Sequence, residues 1–536
     1  MCGAAATGNA ILDENGKNVI ALPGWGNYSY RITTKIDSAQ FYFDQGLNMY
    51  YSYHMKEAAA SFKEASRLDP SSPMTYWGQA LAMGPYYNSA HSYFIPEGIK
   101  DVLVGMNRSM GNASEKEMHL IRAMNSRYPA EFSGNKTKAL DMAYATEIKK
   151  LIDLYPDDAD IKTLYIDAVM LMHAWDFWNA DGTAKAWTPE VVDLCAKVLK
   201  TNPEHPAALH YYIHLTEASR HPEVALANAD ALKTLLPGVG HMVHMASHEY
   251  QRNGLYAKGV EVNDMADDNL LNYEAMAKNL ALNKHSPHYF AVQTYCAMTG
   301  GIYKKGLQNA LRCRSSVSPS QESTYDQYLY MMPVLTMVRL GKWDEILKDN
   351  VVPDSKWSYA MLIHHFAKGL AFVNTSNPDS ARWHLARLRK YQNDPILEKR
   401  RVPFNAPIQM AGIAEHILDA SIDFSVKNNE AVITKLNKAI AIEDKLIYTE
   451  PSDWPVPARQ FLGAFLLKMK KPVLAEKVYR EDLAMSPNNG WSLIGLYQSL
   501  DAQKKSAELT LYKTKYLESF SSADEIPTGS VYLNRK

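Results

Sequence analysis

The sequence predicts an all-α fold made by stacking pairs of helices. Three observations carry this reading. From about residue 37 onward, apolar side chains recur at three- and four-residue spacing, and the alternation of half-buried strands is rare. Helical stretches stop repeatedly at proline, which blocks continuation, while small Ala and Gly let paired helices approach. Pro203 and Pro237, which close two successive segments, stand 34 residues apart.

That spacing is the tetratricopeptide period. The class is therefore a tetratricopeptide-like α-solenoid, a right-handed superhelix of helix pairs open to closure into a ring or a deep groove. Residues 1–36, with Gly, Asn and Thr and weak alternation, read as an irregular lead-in. The repeats occupy 37–520. Ala58, Ala59, Phe62, Ala65 and Leu68 form the apolar face of a helix that stops at Asp69-Pro70, and the next helix begins at Tyr76-Trp77-Gly78. A second unit runs from Asn202-Pro203 through a helix to about Glu217, then from Arg220-His221-Pro222 to Leu236-Pro237. Late helices run from Ala475 to Met485 and onward from Trp491. Stretches 86–135 and 174–190 read as loop insertions, the latter carrying Trp175, Trp178 and Trp187 and suited to wall a groove. Residues 521–536 read as a loose tail.

At 536 residues with 46% hydrophobic composition, the chain can bury a large core. A net charge of −1 gives no reason to expect nucleic acid as a partner. No apolar run is long enough for a transmembrane helix. The 33 tyrosines against 14 phenylalanines suit surfaces part buried and part wet. The four cysteines, at 2, 195, 296 and 313, include no CxxC pair, so neither a zinc ribbon nor a disulfide frame fits. Cys2, followed by small and polar residues, fits a lipid-anchored or periplasmic protein; an ordinary cytoplasmic start is the alternative.

Seven of the 17 histidines form three tight groups between 210 and 288. They are His210 and His214 with Glu217 following, then His241, His244 and His248, then His285 and His288. Residues three, four or seven apart share one helix face, so each group presents its imidazoles together. A 34-residue shift maps His210 onto His244 and His214 onto His248, which places both pairs at matching positions of successive repeats. Adjacent helix axes lie about 8–10 Å apart, close enough for imidazoles from both to meet on an ion. The seven are expected to bind metal, one or two ions per chain. A hydrogen-bonded polar groove, or a cluster that binds a ligand or senses pH, is the plainer alternative. A nitrogen-rich donor set ranks copper first, zinc second and iron third. Glu217 is the candidate proton-moving residue. Tyr211, Tyr250 and Glu249 are candidates for supporting the site. His365, on an apolar helix, and Glu450, Trp454 and Arg459 with Arg480 are candidates to face substrate; for the last four, an inter-helix ion-pair network is the alternative.

Beyond these patterns, the chain resembles the large bacterial tetratricopeptide-repeat proteins that carry HPxxxHYYIHxxE, GxGHxVHMxSHxY and HxxHF motifs. The matching stretches here are His205-Pro206 through His210-Tyr211-Tyr212-Ile213-His214 to Glu217, Gly238 through His241, His244 and His248 to Tyr250, and His285 through His288 to Phe290. Further matches are Ala65 to Pro70, Tyr76-Trp77-Gly78, Trp175-Asp176-Phe177-Trp178, Glu450 to Trp454, Arg459-Gln460, Tyr479 to Leu483 and Asn489 to Leu493. The likeness covers roughly residues 37–500. It implies one continuous superhelix and hands over no substrate. The chain departs from the group at His54-Met55, where Asn-His is frequent, and at Ser286, where Asn is frequent.

Three functions follow as expectations. The first is a metal-dependent oxidoreductase, copper favoured, acting on a small molecule or peptide in the groove. The second is a zinc hydrolase with Glu217 as base. The third is a non-catalytic peptide-binding scaffold. Oligomeric state stays open.

Overall fold

The computed structural model describes residues 16–89, 93–128, 138–282, 286–402 and 404–533. Among them there is no strand, only an isolated bridge between Trp178 and Ala184. No described helix is long and apolar enough to cross a membrane. The chain gathers into two compact units, residues 1–249 with 262–286, and residues 250–261 with 287–536. Helices are, in order, α1 Asp37–Tyr51, α2 Met55–Leu68, α3 Pro73–Ala82, α4 Ile99–Ser109, α5 Glu115–Arg127 and α6 Lys138–Leu154. Then come α7 Ala159–Met172, α8 Thr188–Thr201, α9 Pro206–Thr216, α10 Leu226–Leu235, α11 Gly240–Arg252 and α12 Tyr256–Ala277. Fourteen further α-helices, from Pro287–Thr299 to Ser506–Ser519, build the second unit.

One packing device shows the repeat directly. Phe62 of α2 wedges between Gly46 of α1 and Gly78 of α3, where an added Cβ would meet its ring at 2.7 and 2.3 Å. In the second unit, Tyr479 wedges between Gly463 and Gly495, with the corresponding approaches at 2.3 and 2.2 Å. Each aromatic stands sixteen residues from both its glycines. The middle helix of each trio is thus seated by a ring in a double notch, and the helical-repeat class holds in both units.

The lead-in is not helical, but neither is it loosely attached. Asn18 donates twice to the buried Glu64 carboxylate at 3.0 Å, and Leu22 N–H donates to Gln45 at 3.0 Å. Asn48 holds the Tyr28 carbonyl at 2.8 Å. Gly238 N–H donates to the Gly24 carbonyl at 2.7 Å, locking the lead-in onto the turn before α11. A Cβ on Gly238 would lie 2.1 Å from the Pro23 carbonyl oxygen, so only glycine permits this crossing. Cys2 lies outside the described residues.

Two other expectations change. The stretch 86–135 is not a plain loop, since α4 and α5 both lie in it, and α5 opens with a capping box between Ser114 and Glu117. The 521–533 part of the tail is docked: Ser530 is buried, and its hydroxyl is 2.6 Å from the Tyr479 hydroxyl. The tryptophan-rich 174–190 stretch is irregular up to α8, which begins at Thr188. Trp178 Nε1 donates to the Leu215 carbonyl at 2.8 Å, which fastens it over the end of α9.

Replacing Gly238 by Ala should destabilise the first unit by about 1–3 kcal/mol through the clash with Pro23. Gly111→Ala, where a Cβ meets nothing within 4 Å, should change stability by less than about 0.5 kcal/mol. Thermal unfolding of the two variants side by side checks the contrast.

Candidate metal centre

Helix α9 starts where the sequence can start one: Pro206 occupies its first turn, and the His205 ring accepts from Ala208 N–H at 3.4 Å. This sets His210 and His214 on one face, with ring centroids 4.9 Å apart. Helix α11 repeats the arrangement with His244 and His248, also 4.9 Å apart, and adds His241 one turn earlier. All five rings are buried. The two helices interlock through their imidazoles: His210 faces His241 with 5.1 Å between centroids, and His214 faces His248 with 6.1 Å.

The hydrogen bonds fix which nitrogen of four rings carries the proton. His210 Nδ1 lies 2.7 Å from the Tyr51 carbonyl, and His244 Nδ1 lies 2.6 Å from Asn263 Oδ1. His214 Nδ1 and His248 Nδ1 each lie 2.9 Å from one oxygen of Glu217. All four acceptors are oxygens with no proton to give, so each Nδ1 is the donor and each Nε2 carries a lone pair. This is how ligating histidines are held elsewhere, with the far nitrogen anchored and the near one turned to the ion.

The near nitrogens sit at ligand spacing. His210 Nε2 is 3.3 Å from His241 Nε2, and His244 Nε2 is 3.1 Å from His248 Nε2. Metal–nitrogen bonds of about 2.0–2.1 Å place neighbouring ligand atoms of a tetrahedron about 3.3–3.4 Å apart, and those of a square about 2.9 Å apart. His210, His214 and His241 each offer a ligand atom, all within 4.8 Å of one another. Two lone pairs facing at 3.1 Å cannot hydrogen-bond to each other; an electron-pair acceptor relieves them. Burial first, then neighbouring imidazoles, pushes the pKa of His210, His241 and His244 far below the ordinary imidazole range. The rings are therefore neutral, the form that binds metal.

The wall beside this cluster is aromatic. Tyr53 sits at φ +56° in the turn between α1 and α2, a left-handed conformation unfavourable for a bulky side chain. Other helix ends here place Gly254, Gly301 and Gly341, and also Ser376, Lys427, Lys470 and Lys504, at positive φ, none of them aromatic. In return, the Tyr53 ring lies 4.5 Å from His210 and stacks 5.9 Å from both His214 and Tyr211. The residue after it, His54, is buried with its ring 6.5 Å from His241. Burial pushes its pKa down to about 4.

The structure thus brings together His210, His214, His241, His244, His248, Glu217 and Tyr211. Glu217 is buried and each of its oxygens meets an imidazole Nδ1, so it orients His214 and His248. Glu249 and Tyr250 are buried near the end of α11, with Tyr250 assigned to the second unit. His285 lies outside the described residues, and His288 opens the first long helix of the second unit. The second unit also contains His365, Glu450, Trp454 and Arg459. His365 Nδ1 is 2.9 Å from His384 Nδ1, in a cluster with His364. Trp454 donates to the Val456 carbonyl at 2.7 Å and packs on Phe366. Arg459 makes a two-pronged pair with Asp444, and Arg480 pairs with Glu476 and Glu508, so the ion-pair alternative holds for these arginines. Sequence reasoning missed Tyr53, His54 and Asn263, none of which lies in a histidine motif.

No family model and no curated protein matches this chain. Among solved structures it is similar to the human IFIT1 dimer with PPP-AAAA, at 13% identity over 85% of this chain and 95% of that one, TM-score 0.34. It is also similar to yeast Tom70, at 11% identity over 90% of this chain and 100% of that one, TM-score 0.27. Neither likeness bears on function.

Two outcomes follow. In Glu217→Gln one carboxylate oxygen becomes an amide nitrogen, which cannot accept from an imidazole N–H, so one ring must turn or change tautomer. Metal affinity should fall about 10–100-fold with the helical circular dichroism unchanged, measured by competition with a chelator. In the second unit, burial lowers His364 to about 4, His365 to about 3 and His384 to about 4. Their unfolded values lie near 6.5, so below that pH the unfolded chain takes up protons that the folded one refuses. The stability these neutral rings confer should be full above about pH 6.5 and fall as pH drops toward about 3–4. His384→Gln should flatten that dependence in denaturant titrations run across the window.

Proposed function

We propose that this protein is a helical-repeat metalloprotein whose buried imidazole cluster holds one or two transition-metal ions, copper first, and supports oxidoreductase chemistry on a small molecule. One observation carries the reading: on two interlocked helices four imidazoles have their outer nitrogens tied to oxygen acceptors, and inner nitrogens meet at ligand spacing in two pairs, His210 with His241 and His244 with His248. The donor set is nitrogen alone, which suits copper ahead of zinc and iron in the affinity order. When bound, such an ion would supply electron transfer or polarisation of a substrate. The chain itself holds the rings neutral, fixes their tautomers, and packs Tyr53 and Tyr211 as a wall. His285 and His288 are further ligands in this proposal, as the sequence motif suggests.

Two rival readings have less support. A zinc hydrolase would need Glu217 to take a proton from water, and both its oxygens already accept from His214 and His248. A peptide-binding scaffold would not require the imidazoles to be buried.

Elemental analysis of the chelator-treated protein, reloaded separately with copper, zinc and iron and then desalted, tests the proposal. The expected result is one or two copper ions per chain, lost in the His214→Ala, His248→Ala double variant. Less than one copper per chain rejects it. His288→Ala should lower the stoichiometry or affinity if the third motif contributes.

A further inference from the structure

The second unit buries a positive charge that no acid answers. Arg339 closes the helix Met332–Arg339 and keeps only 5% of its surface exposed. Its Nε is sealed from solvent without a hydrogen bond. Among the described residues no carboxylate pairs with the guanidinium, and no carbonyl or hydroxyl accepts from it. Other arginines of this unit behave differently: Arg459 grips Asp444, and Arg480 pairs with Glu476 and Glu508. Folds bury charges in pairs, because a lone one loses its hydration and gains nothing in return.

The surroundings hold Arg339 in place without satisfying it. Its guanidinium carbon lies 4.3 Å from the centroid of the Trp491 ring. That indole is fully buried, donates from Nε1 to the Thr299 carbonyl at 2.7 Å, and meets Phe520 and Tyr532 edge to face at 5.3 and 5.7 Å. A ring face steadies a cation but accepts none of its N–H groups in the plane. Asp482 acts on Arg339 through space and makes no ion pair with it; Asp482 Oδ2 accepts from Gln460 and from the Ser492 hydroxyl. Burial outweighs that field and draws the Arg339 pKa down to about 10, so the group is still charged at neutral pH. Tyr256 and Tyr295 also lie in its field, and among the described residues neither hydroxyl has a hydrogen-bond partner. Tyr256 opens α12 and belongs to the same unit. Tyr295, on the helix Pro287–Thr299, is part exposed, which gives a ligand a way in.

These donors define the occupant. One unanswered positive charge calls for one negative charge, and a guanidinium meets a carboxylate through two parallel N–H bonds. A dianion such as phosphate would carry a second charge into an aromatic surround with Asp482 close by, and that charge would have no partner. Water would accept a hydrogen bond and leave the charge unanswered. We propose that Arg339 anchors a binding site for a small monocarboxylate, its N–H groups on the two oxygens and the hydroxyls of Tyr256 and Tyr295 as further donors. The site uses no residue of the imidazole cluster and does not rest on the metal reading.

Calorimetric titration of the metal-stripped full chain with acetate, benzoate, benzyl alcohol and inorganic phosphate tests the site, at neutral pH and at an ionic strength held constant with chloride. Removing metal leaves no ion to compete for the carboxylates. At least one of the two carboxylates should bind saturably, one per chain, and about tenfold or more tightly than the alcohol or phosphate. Arg339→Gln should abolish that binding. Arg339→Lys, which keeps the charge and loses the fork, should weaken it about tenfold. Tyr295→Phe, which removes one hydroxyl and keeps the ring, should also weaken it about tenfold with the helical circular dichroism unchanged. The proposal is overturned by absence of saturable carboxylate binding, by alcohol or phosphate binding as tightly, or by carboxylate binding that survives Arg339→Gln. Should Arg339→Gln fail to fold, Tyr295→Phe decides: an unchanged carboxylate affinity in that variant removes the site.

Discussion

The Glu217 carboxylate is the constraint on which the centre depends. It stands at the end of α9 and receives one N–H from that helix, through His214, and one from α11, through His248. A carboxylate is the right group for this place, since it offers acceptors on both sides and has no proton to compete with. An imidazole that donates from Nδ1 to an anion becomes a stronger base at Nε2, so the bond that orients the ring also raises its affinity for a cation. Burial keeps His210, His241 and His244 neutral, so these rings set no positive charge against a metal ion.

Around that contact, the fold spends local strain and tight approaches on closing the centre. Tyr53 accepts a left-handed backbone so that its ring can lie against His210. The turn that imposes this conformation also places the Tyr51 carbonyl 2.7 Å from His210 Nδ1. The lead-in crosses the start of α11 at a glycine–glycine contact too close for any side chain. These features involve residues 23–53, far from the histidine motifs in sequence, yet they anchor one ring and wall off the others.

Much of this was legible in the sequence. The 3.6-residue periodicity, the proline stops and the 34-residue register fixed the class and put His210, His214, His244 and His248 on facing helices. The contacts of Glu217 with His214 and His248 were not legible, because spacing places it on the ligand face but says nothing of which atoms it touches. His54 stood out only as a departure from the resembled motif, since its relation to His241 arises only when the turn between α1 and α2 is in place. Asn263 gave no signal, because an asparagine on a polar helix is ordinary until its oxygen meets His244. The α4–α5 stretch read as a loop because gaps between repeats were judged by register, while the capping box at Ser114 was a local sign that register ignores.

The imidazoles are not needed to hold the helices together. Where the scaffold only has to pack, it seats Phe62 between Gly46 and Gly78, or Tyr479 between Gly463 and Gly495, with the Tyr479 hydroxyl meeting that of Ser530. Such notches are available to any adjacent pair of repeats. At α9 and α11 the chain instead buries five imidazoles and a carboxylate, a choice that costs desolvation and stabilises less than aliphatic packing of equal volume. A local rule broken in this way, with every anchored ring turned to leave the same nitrogen facing inward, marks a place shaped by what it must bind rather than by how it must fold.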